Sequence, residues 1–179
     1  RFVSCFLPDF IYLKPMKVTL ENIYISPGHN YFGRYGKTSL GYEIIERDEI
    51  ELVAGKGVVD DRFFDYLDDY KGQITFFDWD VYQKVKNEVV KGELDPSKFR
   101  RNVLLKGIDL NELIGKRFSI DGIELTGSCE CSPCFWMDEA CAEGTEEFLK
   151  GRGGLRARIL KDGVLRLGSA ELEILGDIQ

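Results

Sequence analysis

The chain has 179 residues, 44% hydrophobic and 31% charged, which is ordinary for a globular protein and enough to bury one core without staples. A formal net charge of −7 argues against nucleic acid as a partner, because phosphate binding rewards Lys and Arg, and no apolar run approaches membrane-spanning length. The five cysteines are odd in number and bunched rather than spread, unlike a secreted disulfide framework, so reduced thiols and a cytoplasmic protein are expected.

Residues 1–15 are apolar and aromatic but broken by Asp9, Lys14 and two prolines. They lack the uninterrupted apolar stretch of a signal peptide and read as an upstream extension or a cloning remnant before a domain spanning 16–179, with an N-terminal edge strand as the alternative. Val18–Ile25 is β-branched and aromatic and predicts a strand ended by Ser26-Pro27-Gly28. His29, the single histidine, falls in a Gly-punctuated loop and reads as a loop hydrogen-bonder. Glu49–Ala54 alternates as a half-buried strand does, and Gly55 and Gly57 bracket a turn. Asp60-Asp61-Arg62 then sets two carboxylates beside an arginine, either as a cap or surface pair or as part of a polar pocket.

Gln73–Phe77 reads as a buried strand. Asp78 is placed to cap a helix running to about Lys91, with a Val81, Val85, Val89 stripe facing the core and Gly92 closing it. A strand over 100–105 is entered through Arg100 and Arg101, and Asp109–Glu112 forms a capping box for one helical turn. Asp121-Gly122 predicts a hairpin between Arg117–Ile120 and Ile123–Thr126. Two short helical pieces flank Gly144. Leu155–Leu160 alternates arginine with apolar residues, Asp162-Gly163 predicts a second hairpin, and two strands close the chain. About eight short strands with one clear helix predict a single, mainly β, barrel-like domain.

Four cysteines fall within thirteen residues, as Cys129, Cys131, Cys134 and Cys141, and Pro133 stiffens the turn between the middle two. Thiolates are soft ligands and strong nucleophiles, so the cluster can hold a metal or carry sulfur. Two arginine groups stand out in the acidic chain: Arg100 and Arg101, then Arg152, Arg156 and Arg158. Arginine suits phosphate through its paired donors. Arg156 and Arg158 should share one face of their strand, and Gly153-Gly154 would let backbone N–H groups approach an anion. The plainer alternative pairs these arginines with surface carboxylates.

Three segments in this order resemble a MOSC domain, named for the C-terminal domain of molybdenum cofactor sulfurase. Val53–Phe63 is similar to the family's GxxGDR entry, with Asp60 where the family usually has glycine. Phe99-Arg100-Arg101-Asn102-Val103, followed by Gly107-Ile108-Asp109-Leu110 and Leu113-Ile114-Gly115, resembles its RRNI…GIDL…LIG run. Cys131-Ser132-Pro133-Cys134 with Arg152–Arg158 resembles its CxPC…RGGLRARV run. The resemblance covers roughly 17–175. The chain is too short for the aminotransferase-like domain of a full sulfurase, so a stand-alone MOSC protein is expected, with a MOSC-type β-barrel over 16–179.

The resemblance implies binding of the molybdenum cofactor (molybdopterin). Cys134 would contact molybdenum or carry a persulfide, and Cys131 would be a second ligand or a resolving thiol. Arg62, Arg101, Asn102, Arg152, Gly153, Gly154, Arg156 and Arg158 are the candidate cofactor-binding residues. The implied activity is carriage of cofactor or activated sulfur, or a small molybdenum-dependent reduction of N-hydroxylated compounds. Its partners would be molybdoenzymes, cofactor-biosynthesis proteins or an electron-transfer protein. Pyridoxal phosphate has no supporting lysine context. A different class remains open beside this one: a structural zinc site built from the four clustered thiolates, without catalysis.

Overall fold

The computed structural model describes residues 14–31 and 36–178. The expected extension therefore lies almost wholly outside the described residues, as does Cys5. The chain forms β1 (Met16–Ile25), β2 (Ile45–Glu46), β3 (Glu49–Val53), β4 (Gly57–Val58), β5 (Ile74–Asp78), β6 (Val103–Lys106), β7 (Lys116–Ile120), β8 (Ile123–Glu130), β9 (Leu155–Ile159), β10 (Gly163–Arg166) and β11 (Gly168–Asp177). Seven of these close into a barrel in the order β11-β7-β8-β9-β5-β6-β1, with β1 pairing back onto β11. Closure leaves no free edge among the seven. The mainly β barrel expected from the strand tally is thus observed.

The barrel's core is built from alternating positions, such as Leu155, Ala157 and Ile159 on β9 and Ile123 and Leu125 on β8. Asp121 (φ 48°) and Gly122 (φ 76°) supply the left-handed pair that a two-residue hairpin requires between β7 and β8.

All barrel pairings are antiparallel except β5 with β6. Parallel neighbours need a crossover, which is where the helical structure is placed. Asp78 caps α1 (Trp79–Lys84) by accepting from the Asp80 and Val81 N–H groups, and the helix continues as a π-helical stretch over Val85–Val90. It closes at Lys91 (φ 55°) rather than at the expected Gly92. Val85 is buried, and Val81 and Val89 pack around a second core of Phe77, Tyr82, Phe99, Leu104 and Leu149 on the barrel's outside.

The expected hairpin at Asp162-Gly163 is not formed. β10 pairs with β3 instead, because Asp162 accepts the Ala54 N–H at 2.7 Å and the strand that follows runs along Leu52 to Glu49. The end of β1 and the starts of β5 and β6 meet at one end of the barrel, where antiparallel pairing also sets Arg156 of β9 beside Thr75 of β5 and Cys129 of β8 beside Arg156.

Candidate functional site: an arginine-lined cavity beside a two-cysteine loop

A cavity of about 260 Å³ opens at this end. Its polar wall is Arg62, Arg100, Arg101, Arg156 and Thr75, and its rim is the loop from Cys131 to Cys134. Four guanidinium groups converge in a chain of net charge −7. Each is held differently.

Arg62 follows Asp60, whose φ of 63° keeps the left-handed backbone that the family's glycine would supply. Aspartate tolerates this region better than most residues, so the turn survives the exchange. The Asp61 side chain is almost wholly buried and receives N–H groups from Ser26 and Phe63. It also pairs with Arg62 Nη1 at 3.2 Å. Arg62 Nη2 donates to the Arg100 carbonyl at 3.0 Å. Burial lowers the pKa of Arg62, and Asp61 opposes that shift.

Arg101 is occupied by the backbone. It donates to the carbonyls of Phe99 (2.8 Å), Gly153 (3.0 and 3.2 Å) and Cys131 (3.5 Å). It ties the cysteine loop to the glycine turn and is a positioning residue. Its neighbour Arg100 (φ 55°) points its guanidinium elsewhere, with Nη2 donating to the Gly28 carbonyl at 3.2 Å and the group lying 5.4 Å from the Tyr31 ring. Arg100 Nη1 is buried with no hydrogen-bond partner among the described residues. Burial, then the charge of Arg62, pushes the Arg100 pKa down to about 10. A buried cationic donor left unpaired is costly, and an anion in the cavity would satisfy it.

Arg156 and Arg158 share the half-buried face of β9, as expected. Only Arg156 lines the cavity, with Nη1 at 3.5 Å from the Tyr70 hydroxyl. Burial opposes its charge, yet its pKa is raised, because Cys131, Tyr70 and Cys129 favour the cation. Arg158 leans out to pair with Asp69 and donates to Ser128 Oγ. Arg152 also lies away from the cavity, exposed and 4.9 Å from the Phe148 ring.

Asn102 sits behind the wall, where its Oδ1 accepts from the Thr75 N–H and hydroxyl and its Nδ2 donates to the Tyr24 carbonyl. It joins β1, β5 and the entry to β6. Gly153 and Gly154 serve close packing. A Cβ on Gly153 would lie 2.1 Å from the Cys131 oxygen, and one on Gly154 would lie 2.3 Å from the Phe76 oxygen. The Gly153 N–H already donates to Glu130, so the anion contact expected there has lost its donor.

Cys134 is exposed at the rim and Cys131 is buried within it. Cys129 lies on β8 opposite Arg156. Cys141 joins the outer core, where burial pushes its thiol up to about 11. The four thiols do not converge. Among the described residues no group of three or more His, Cys, Asp or Glu side chains could hold a metal ion. The structural zinc site thus finds no support in the geometry. Glu130 and Asp138 accept backbone N–H groups of Gly153 and Glu146, which turns both carboxylates away from the cavity.

Sequence reasoning missed the aromatic wall. His29 packs edge-on against Phe63 at 4.7 Å, Phe63 stacks on Tyr70 at 5.1 Å, and Tyr31 meets Trp136 at 3.3 Å. The signal was present as a concentration of aromatics in two loops, 29–32 and 63–70, without a period to mark which face they share. Burial, followed by repulsion from Arg62, lowers the pKa of His29.

The sequence matches the family profile described as MOSC domain over residues 66–170. No curated protein matches it. Among solved structures, the YuaD protein from Bacillus subtilis superposes with a TM-score of 0.68 at 17% identity, covering 93% of this chain and 99% of that one. YiiM from Geobacillus stearothermophilus gives 0.62 at 13% identity, covering 88% of this chain and 75% of that one. YiiM from Escherichia coli gives 0.60 at 15% identity, with 93% and 72% covered. These likenesses concern the fold.

Proposed function

Because the chain belongs to the MOSC domain family, we propose that it binds the molybdenum cofactor in the arginine-lined cavity and uses Cys134 to hold molybdenum or to carry sulfur destined for it. The observation that carries this reading is the placement of an exposed thiol at the rim of a cavity whose wall includes a buried, unpartnered guanidinium N–H on Arg100. The cofactor is anionic and carries a phosphate, so the donor set fits it. Arg100 and Arg156 would bind the negative charge, while Arg62 is neutralised by Asp61 and Arg101 is held by carbonyls. The flat ring system would rest on the aromatic wall of Phe63 and Tyr70. When bound, the cofactor supplies a metal able to exchange sulfur and electrons.

Cys134 is accessible to a macromolecular partner, which suits delivery to molybdoenzymes or receipt from cofactor-biosynthesis proteins. A second reading is reduction of N-hydroxylated compounds with electrons from a partner protein. It is favoured by a second aromatic pair, Tyr31 and Trp136, which lines the same cavity as the Cys131–Cys134 loop and offers a planar substrate a surface apart from Phe63 and Tyr70. Among the described residues no helix is long and apolar enough to cross a membrane.

The test is retention of cofactor through gel filtration, read by pterin fluorescence, for the parent, Arg100→Met and Arg156→Met. Loss of one charge-assisted contact should weaken retention by about tenfold or more, the equivalent of ~1.4 kcal/mol. Retention unchanged in both variants would remove the cavity from the account.

A further inference from the structure

The function proposed above uses Cys134 and leaves Cys131 unexplained. The two thiols are three residues apart and line the same cavity, one exposed and one buried. Cys131 is fixed from both sides: its N–H donates to the Gly154 carbonyl at 2.8 Å, and its carbonyl accepts from Arg101. Pro133 stiffens the turn and packs against Gly153. Arg156, on β9, lines the same cavity as Cys131 and brings its cationic charge there. One sulfur is therefore reachable by large partners, and the other is shielded, carried on a backbone held from both sides, and shares its cavity with the Arg156 cation. That division suits a pair in which the outer thiol receives sulfur and the inner one displaces it.

We infer that Cys131 is the resolving thiol of a Cys131–Cys134 pair, discharging sulfane sulfur from Cys134 as hydrosulfide. The inference rests on the sulfur-carrying form of the proposed function. A donor of the persulfide class first loads Cys134. The Cys131 sulfur then attacks Sγ of Cys134, forming the Cys131–Cys134 disulfide. The bond from Sγ to the terminal sulfur breaks, and that sulfur leaves with its electron pair and the Cys131 proton as HS⁻. The terminal sulfur is reduced by two electrons, and the cysteine pair is oxidised by two. A dithiol reductant returns the pair to its starting state. Cys129 and Cys141 lie outside the cavity wall and take no part.

The experiment treats anaerobically reduced full-length protein with inorganic polysulfide, removes the excess, and then follows hydrosulfide release and intact mass. The parent should release hydrosulfide and end lighter than its reduced form by two hydrogens, with the disulfide mapped to the peptide holding Cys131 and Cys134. Cys131→Ser and Cys131→Ala should instead hold one extra sulfur on Cys134 and release hydrosulfide about tenfold more slowly or worse. Cys141→Ser should behave as the parent. Sulfur on Cys134 with release unchanged in both Cys131 variants overturns the inference alone, as does a parent disulfide mapped to any other pair. No sulfur on Cys134 in any form overturns the carrier reading beneath it. The parent's peptide map requires no substitution, so a variant that fails to fold does not rescue the idea.

Discussion

Arg100 and Arg101 are adjacent in sequence and opposite in use, so exchanging each for methionine should give opposite results. In the free protein, Arg100→Met removes one hydrogen bond, to Gly28, and one ring contact, to Tyr31. Together these contribute about 2–4 kcal/mol. It also removes a buried donor without a partner and relieves the charge repulsion with Arg62. An unpaired buried donor costs about 1–3 kcal/mol. A pKa depressed from the ordinary arginine range to about 10 by burial and by the charge of Arg62 says that the fold disfavours this charge. Discounting that shift for partial exposure, the two sides cancel to within ~1 kcal/mol. The assay is urea unfolding of cofactor-free protein. Arg100→Met should match the parent within ~1 kcal/mol, or exceed it, while losing cofactor retention. Destabilisation beyond ~2 kcal/mol would show that Arg100 is a structural donor and that the unpartnered N–H has no ligand to serve.

The remaining predictions use the same structure. Arg101→Met strips donors from the Phe99 and Gly153 carbonyls and should destabilise by about 3 kcal/mol, moving the urea midpoint by more than ~1 M and raising the maleimide reactivity of Cys131. Asn102→Ala leaves the Thr75 N–H and Tyr24 carbonyl unpaired in the interior and should cost about 2–4 kcal/mol by the same unfolding assay. His29 has a folded pKa below its ordinary 6.5, so the unfolded chain binds the proton more readily and stability must fall as pH drops through about 6.5. Replacing His29 with Gln should remove that part of the acid sensitivity, and NMR titration of the single imidazole should place its pKa below 6.5.

Local chemistry was legible in the sequence where it is sufficient by itself. The Asp121-Gly122 hairpin, the Asp78 cap and the alternation of β9 each follow from a few neighbouring residues. Asp162-Gly163 carries the same turn signal, yet the aspartate's carboxylate is taken by Ala54, 108 residues earlier in the chain. No local rule contains that contact. The arginines divide for a similar reason. Spacing gathers Arg100 with Arg101 and Arg152 with Arg156 and Arg158, but the partners that sort them are carbonyls of Gly153 and Gly28, the Asp69 carboxylate and the Phe148 ring. Each arrives from a distant element. The glycine turn at 153–154 has the composition of an anion cradle, whereas the close approach it permits is to the Cys131 and Phe76 carbonyls. A missing Cβ marks a close neighbour without saying which one.

The most direct test of the central claim is molybdenum and sulfane-sulfur analysis of protein purified anaerobically from a host that makes molybdenum cofactor, beside a Cys134→Ser variant. Because Cys134 is exposed, the substitution should change stability by less than ~0.5 kcal/mol. Cofactor or sulfur binding through Cys134 predicts molybdenum or persulfide on the parent and neither on the variant. Equal amounts on both, or neither on a folded parent, would contradict it.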